Sequence, residues 1–160
     1  MPAPLTCFAT CAVGLEPLLA GELRGLAADR GLEVRAEEPG GIEFRADRPG
    51  LYAANLHLRT ASRIIVRVGS FHASAFHELE RHARRLRWET FVPPGAALAF
   101  RVSARKSRLY HQGAVAERLL AAVAERVPGV RLAQSSADDE APDEGVQLIV
   151  VRLFRDQCIV

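Results

Sequence analysis

The sequence predicts an α+β protein built from two consecutive units. Three observations carry that reading. Apolar residues switch several times between a spacing of two and a helical spacing, turn signals at Pro39-Gly40-Gly41 and Pro93-Pro94-Gly95 break the runs, and basic side chains crowd the middle of the chain. A length of 160 residues suits one large or two small domains. With 49% hydrophobic and 25% charged residues the composition is globular, which excludes a mostly disordered protein. No apolar run approaches the roughly 20 residues of a membrane span.

Leu5 to Thr10 reads as a short strand. Gly14 and Pro17 then mark the start of a helix, and Leu15, Leu18, Leu19, Leu23 and Leu26 give it an apolar stripe of helical period that ends near Gly31. Leu32, Val34 and Ala36 alternate with charged residues, as do Ile42, Phe44 and Ala46 beyond the turn, which makes a hairpin. Asp47 and Pro49 open a second helix running to about His57, and the β-branched run Ile64 to Val68 reads as a buried strand. The order β-α-β-β-α-β over residues 1–70 is the split-βαβ, or ferredoxin-like, pattern.

Residues 71–160 form a second, α/β unit. Leu79, Ala83 and Leu86 turn one helix face inward and leave Arg81, Arg84 and Arg85 outward, before Trp88. Leu98, Phe100 and Val102 alternate with Arg101 and Ser103 in a half-buried strand that points at Arg105-Lys106-Ser107-Arg108. Val115, Leu119, Ala122, Val123 and Val127 form the next helical stripe, so this basic loop joins a strand end to a helix start. Residues 133–145 are polar and acidic and suit an inserted loop. Val146 to Leu153 reads as a near-continuous apolar strand, Arg155-Asp156-Gln157 as a turn, and Cys158-Ile159-Val160 as the opening of another strand. The expectation is a piece of a longer protein.

The formal net charge of +2 hides a segregation. Residues 59–118 hold 12 basic and 4 acidic side chains, a net of +8, while residues 1–58 and 119–160 each carry −3. All basic residues except Lys106 are arginine, whose planar fork suits phosphates and stacks on bases. That pattern points to a nucleic-acid partner, with a solvated charged face as the plain alternative.

No catalytic constellation survives inspection: the chain has no glycine-rich nucleotide loop, no HExxH and no GxSxG. Neither a catalytic residue nor a metal site is expected. Cys7, Cys11 and Cys158 are odd in number, and the CxxxC spacing of the first two with scattered histidines matches no common zinc site. They read as reduced, partly buried thiols, and with no leader-like pattern at Met1 to Leu5 the expected location is cytoplasmic.

The stretch Arg101 to His111 is the most informative. Its cations lie beside Ser103, Ser107, Tyr110, His111 and Gln112, and a helix starting near His111 to Gly113 would add free N–H groups, a setting for phosphate. Tyr110 could stack on a base or pack on the helix. Arg59 and Arg63 form a second basic pair at a helix-to-strand junction, which either contacts nucleic acid or braces the domain against Asp47 or Glu43. The candidate nucleic-acid-binding set is Arg59, Arg63, Arg84, Arg101, Arg105, Lys106, Ser107, Arg108 and His111.

Phe8-Ala9-Thr10, Gly14-Leu15-Glu16-Pro17-Leu18-Leu19 and Glu22-Leu23 resemble the opening of bacterial THUMP-containing RNA methyltransferases. Gly40-Gly41-Ile42-Glu43-Phe44, the run Asn55 to Ile64, and Ser103 through Lys106-Ser107-Arg108-Leu109-Tyr110-His111 resemble that family in the same order and at similar spacing. The resemblance, closest to the large-subunit rRNA enzymes, covers nearly the whole chain. It implies that residues 1–70 are the ferredoxin-like domain and residues 71–160 a THUMP domain, together binding RNA, with rRNA the expected partner. It also implies a C-terminal methyltransferase domain in cis that holds S-adenosylmethionine and methylates a guanine exocyclic amine. The family's catalytic [ND]PP[YF] motif belongs to that domain, so this chain alone is expected to bind no cofactor and to be non-catalytic. The acidic stretch Asp138 to Glu144 is longer than the family pattern. Two rivals stand beside this reading: the RNA-binding region of a tRNA guanosine-N2 methyltransferase, and a ferredoxin-like regulatory domain for a small effector, which leaves the +8 segment unexplained.

Overall fold

Strand β1 (Leu5–Thr10) lies between β3 (Gly41–Ala46) and β4 (Arg63–Arg67), antiparallel to both, and β2 (Leu32–Glu38) pairs with the far side of β3. The sheet order β2-β3-β1-β4, with α1 (Glu16–Arg30) after β1 and α2 (Arg48–His57) after β3, is the ferredoxin-like arrangement expected from the sequence. The computed structural model describes residues 4–133 and 145–160. It divides into two units, Met1–Arg67 and Val68–Val160, a boundary slightly before the expected one.

In the first unit the register sets Cys7 against Phe44 and Ala9 against Ile42. These residues share a core with Leu19 and Leu23 of α1 and Ala54 of α2. Gly31 ends α1 at φ 64°, a left-handed C-cap that glycine adopts without strain, and the Asp47 carboxylate caps α2 by accepting the Gly50 N–H at 2.8 Å.

Three expectations need correction. Leu15 and Leu18 are exposed rather than part of the buried stripe: Leu15 stands at the non-helical N-cap, and Leu18 is turned about 100° from Leu19 around the axis. Ala36 is exposed because a bulge between Val34 and Ala36 shifts the alternation of β2. Strand β4 is half-buried, since it is an edge strand paired only with β1.

The second unit carries a five-stranded sheet in the order β5-β9-β8-β6-β7. Parallel β6 (Ala97–Arg105) and β8 (Val146–Phe154) form its centre, with β7 (Arg131–Leu132) parallel on one side and β9 (Gln157–Ile159) and β5 (Ser70–His72) antiparallel on the other. The two-residue β7 and three-residue β5 are too short to leave a periodic signal. Helices α3 (Phe76–Ala83) and α4 (Gln112–Ala124) pack Leu79, Val115, Leu119 and Val123 against Leu98, Val102, Ile149, Val151 and Leu153 on one face of the sheet. Trp88 closes this core, its Nε1–H donating to the Ala83 carbonyl at 2.8 Å. Strand β8 alternates in burial rather than being apolar on both faces. The acidic stretch Asp138 to Glu144 lies outside the described residues.

Candidate nucleic-acid interface

Strands β6 and β8 run in parallel and in register, so Arg101, Ser103 and Arg105 share the sheet face away from the helices with Val150, Arg152 and Phe154. Both strands deliver their C-terminal ends to one place. Beyond Arg105 the chain passes through Lys106, Ser107 and Arg108 into α4, and beyond Phe154 it turns through Arg155 and Asp156 into β9. Arg105, Lys106, Arg108, Arg152 and Arg155 are all exposed, and among the described residues none of the five forms an ion pair.

Two exposed aromatics flank these cations. Phe154 carries the Arg155 guanidinium over its ring at 5.2 Å, and Tyr110 lies against the His111 ring with centroids 4.3 Å apart. His111 is the N-cap residue of α4 with no side-chain hydrogen bond to the helix, and the first turn contains no acidic side chain. That helix end therefore keeps its positive dipole and its N–H groups beside the basic loop. Cations, amide donors and flat apolar rings in one patch can bind phosphates and stack bases.

The expected set divides. Arg105, Lys106, Arg108 and His111 come together, and Arg101 stands on the same sheet face, half-buried. Ser107 is committed internally: its hydroxyl donates to the Arg105 carbonyl at 3.3 Å and accepts the Asp156 N–H at 3.0 Å. Arg84 does not join the patch. It pairs with Glu125 at 3.1 Å beyond the other end of α4, roughly 20 Å from the loop for a helix of that length.

Arg59 and Arg63 lie in the first unit, exposed, and pair with neither Asp47 nor Glu43. The bracing expected of them is done by Arg67, which reaches Glu43 and Glu38 and stacks over Phe8. Sequence reasoning missed Arg152, Phe154 and Arg155. Their signal was the parallel pairing of β8 with β6, which no local pattern encodes.

Cys7 and Cys158 are buried, and burial pushes their thiols up to about 11 and about 12, values of packed, unreactive groups. Among the described residues no group of His, Cys, Asp and Glu side chains is arranged to hold a metal, and no helix is long and apolar enough to cross a membrane.

The chain combines a ferredoxin-like unit with an α/β unit, and the proteins it is similar to include RNA methyltransferases. Residues 6–65 match the family model of the RlmL ferredoxin-like domain. Over 167 aligned residues the chain is 35% identical to the ribosomal RNA large subunit methyltransferase K/L of Methylococcus capsulatus, covering 100% of this chain and 21% of that protein. It thus spans about a fifth of that curated relative. Among solved structures, a "predicted N6-adenine-specific DNA methylase" from Listeria monocytogenes superposes with a TM-score of 0.78 at 26% identity, over 98% of this chain and 39% of that one. SMU.472, solved as a complex with SAH, gives 0.77 at 28% identity, over 99% of this chain and 41% of its own.

Proposed function

We propose that this chain is the RNA-binding part of a methyltransferase and that it holds ribosomal RNA in register for a catalytic domain in cis. One observation carries the reading: five cations free of ion pairs among the described residues converge from two parallel strand ends, beside two exposed aromatics and an uncapped helix N-terminus. Methylating a base requires it to be unpaired or extruded, so a separate platform that grips the surrounding backbone is a sensible division of labour. The second unit is read as a THUMP domain, the modified group as a guanine exocyclic amine, and the protein as cytoplasmic. The DNA description of the Listeria neighbour points to another polymer, but the whole-chain match to an rRNA enzyme is the closer in sequence.

S-adenosylmethionine does not fit here. Its sulfonium is a cation, and the strand-to-helix turn of β6 and α4 offers it Arg105, Lys106 and Arg108 with no glycine for close backbone approach. The donor belongs to the catalytic domain, and the chain by itself is non-catalytic.

Titration of the chain with a fluorescein-labelled RNA stem-loop at several salt concentrations tests the reading. Four to six phosphate contacts on unpaired strands give a slope of log K against log salt of about −3 to −4. A slope near zero rejects it.

A further inference from the structure

Among the described residues three that are not glycine have a positive φ: Lys106 at 53°, Arg155 at 49° and Asp156 at 63°. All three sit where the β8–β9 turn meets the loop from β6 to α4. Left-handed backbone is unfavourable for lysine and arginine, and such conformations persist where the surroundings over-determine them. Here Asp156 supplies much of that constraint. Its carboxylate Oδ1 accepts the Arg108 N–H at 2.8 Å, its own N–H donates to Ser107 Oγ at 3.0 Å, and its carbonyl accepts the Ala73 N–H at 2.8 Å. The neighbouring Arg155 N–H reaches the Arg105 carbonyl at 3.3 Å. The two segments are therefore clamped by one backbone–backbone and two backbone–side-chain hydrogen bonds, with Asp156 in the middle.

A carboxylate amid Arg105, Lys106, Arg108, Arg152 and Arg155 works against binding a polyanion if only charge is counted. Its geometry supplies a reason for it. We propose that Asp156 is a positioning residue: its carboxylate fixes the backbone at Arg108 and so presents the loop cations in one arrangement before RNA arrives. A loop ordered in advance loses less freedom on binding, which strengthens the complex. The proposal rests on the RNA reading above and names how that surface is organised.

Asp156→Asn and Asp156→Gly remove the same charge, and both residues accept a φ of 63°. Only asparagine keeps an oxygen for the Arg108 N–H. Measured with the same RNA stem-loop, Asp156→Asn is expected to bind as tightly as the unaltered chain or more tightly. Asp156→Gly is expected to bind about three- to tenfold more weakly than Asp156→Asn, and trypsin to cleave it faster after Lys106 and Arg108. Equal affinity of the two variants overturns the positioning role while leaving the RNA reading intact. Failure of the unaltered chain to bind in a salt-dependent way overturns the RNA reading, and the positioning role with it.

Discussion

The Glu22 carboxylate on α1 accepts both the amide of Thr60, at 3.1 Å, and its hydroxyl, at 3.0 Å. The same group takes the Arg59 N–H at 3.1 Å, so the segment leading into β4 is held to the helix by one side chain. Glu22→Ala leaves two backbone donors without that partner and is expected to lower stability by about 1–3 kcal/mol. Urea unfolding of the chain measures it, and an unchanged midpoint would show that water replaces the carboxylate at no cost.

Acid should act through the same kind of contact. Burial opposes ionisation of Glu22, but the Thr60 and Arg59 amides outweigh it and hold the carboxyl below its ordinary value of 4.5. The Gly40 amide foremost does this for Glu16, and the Ser74 amide for Glu78. A carboxyl with a depressed folded pKa contributes stability above the unfolded value and loses it as pH falls through the folded one. Melting temperature is therefore expected to hold from neutrality to about pH 5 and to decline below the ordinary 4.5. A decline that begins near neutral pH would implicate histidines instead.

Replacing Arg105, Lys106 and Arg108 together by serine removes three cations from one loop. RNA affinity should fall, and the salt slope should shrink by about 2, at roughly 0.7 per lost phosphate contact. The melting temperature should change little, because exposed charges add about 0–1 kcal/mol each. A melted variant, or one with undiminished affinity, refutes the assignment of the loop.

Arg63 and Arg67 lie on the same strand but should behave differently. The Arg67 side chain is 17% exposed, faces Glu43 and Glu38, and covers the Phe8 ring at 4.7 Å. Arg67→Ala leaves two carboxylates without their cation and uncovers the ring, at a cost of about 1–3 kcal/mol. Arg63→Ala touches no such network and should leave stability within about 0.5 kcal/mol. Thermal melts of the pair decide it; equal losses would mean that Arg63 has a partner in solution.

The first unit was legible because its signals are local. Asp47 and Pro49 name a helix start, Gly31 a helix end, and Ile42 and Phe44 show their inward face by alternation alone. What failed there depended on neighbours: the bulge at Val34 and Ala36, and the edge position of β4. In the second unit the loop from Arg105 to Arg108 was visible as charge at the end of an alternating run. Its partners Arg152 and Arg155 come from a strand and the turn after it, some 50 residues later, and only the parallel ladder brings them together. Arg84 shows the converse, since an outward position at a helix end was readable but its partner Glu125, at the end of the next helix, was not.

Two glycines of the first unit should respond in opposite directions to the same substitution. Gly41 begins β3 opposite Thr10, and a Cβ there would lie 2.3 Å from the Ala9 carbonyl oxygen and 2.7 Å from the Phe8 ring. The first contact is with backbone in the middle of the sheet and cannot be relieved by a rotamer change, so Gly41→Ala must pry β3 from β1 or leave the chain unfolded. Gly25 lies on the exposed side of α1, where an added Cβ would meet nothing within 4 Å, and its φ is not positive. Gly25→Ala gains helix propensity and reduces the freedom of the unfolded chain, which together should stabilise by about 0.5–1 kcal/mol. Denaturation of the two variants side by side is the test: a tolerated Gly41→Ala would mean that the β1–β3 ladder is looser than its register indicates, because only separation of those strands makes room for the methyl group.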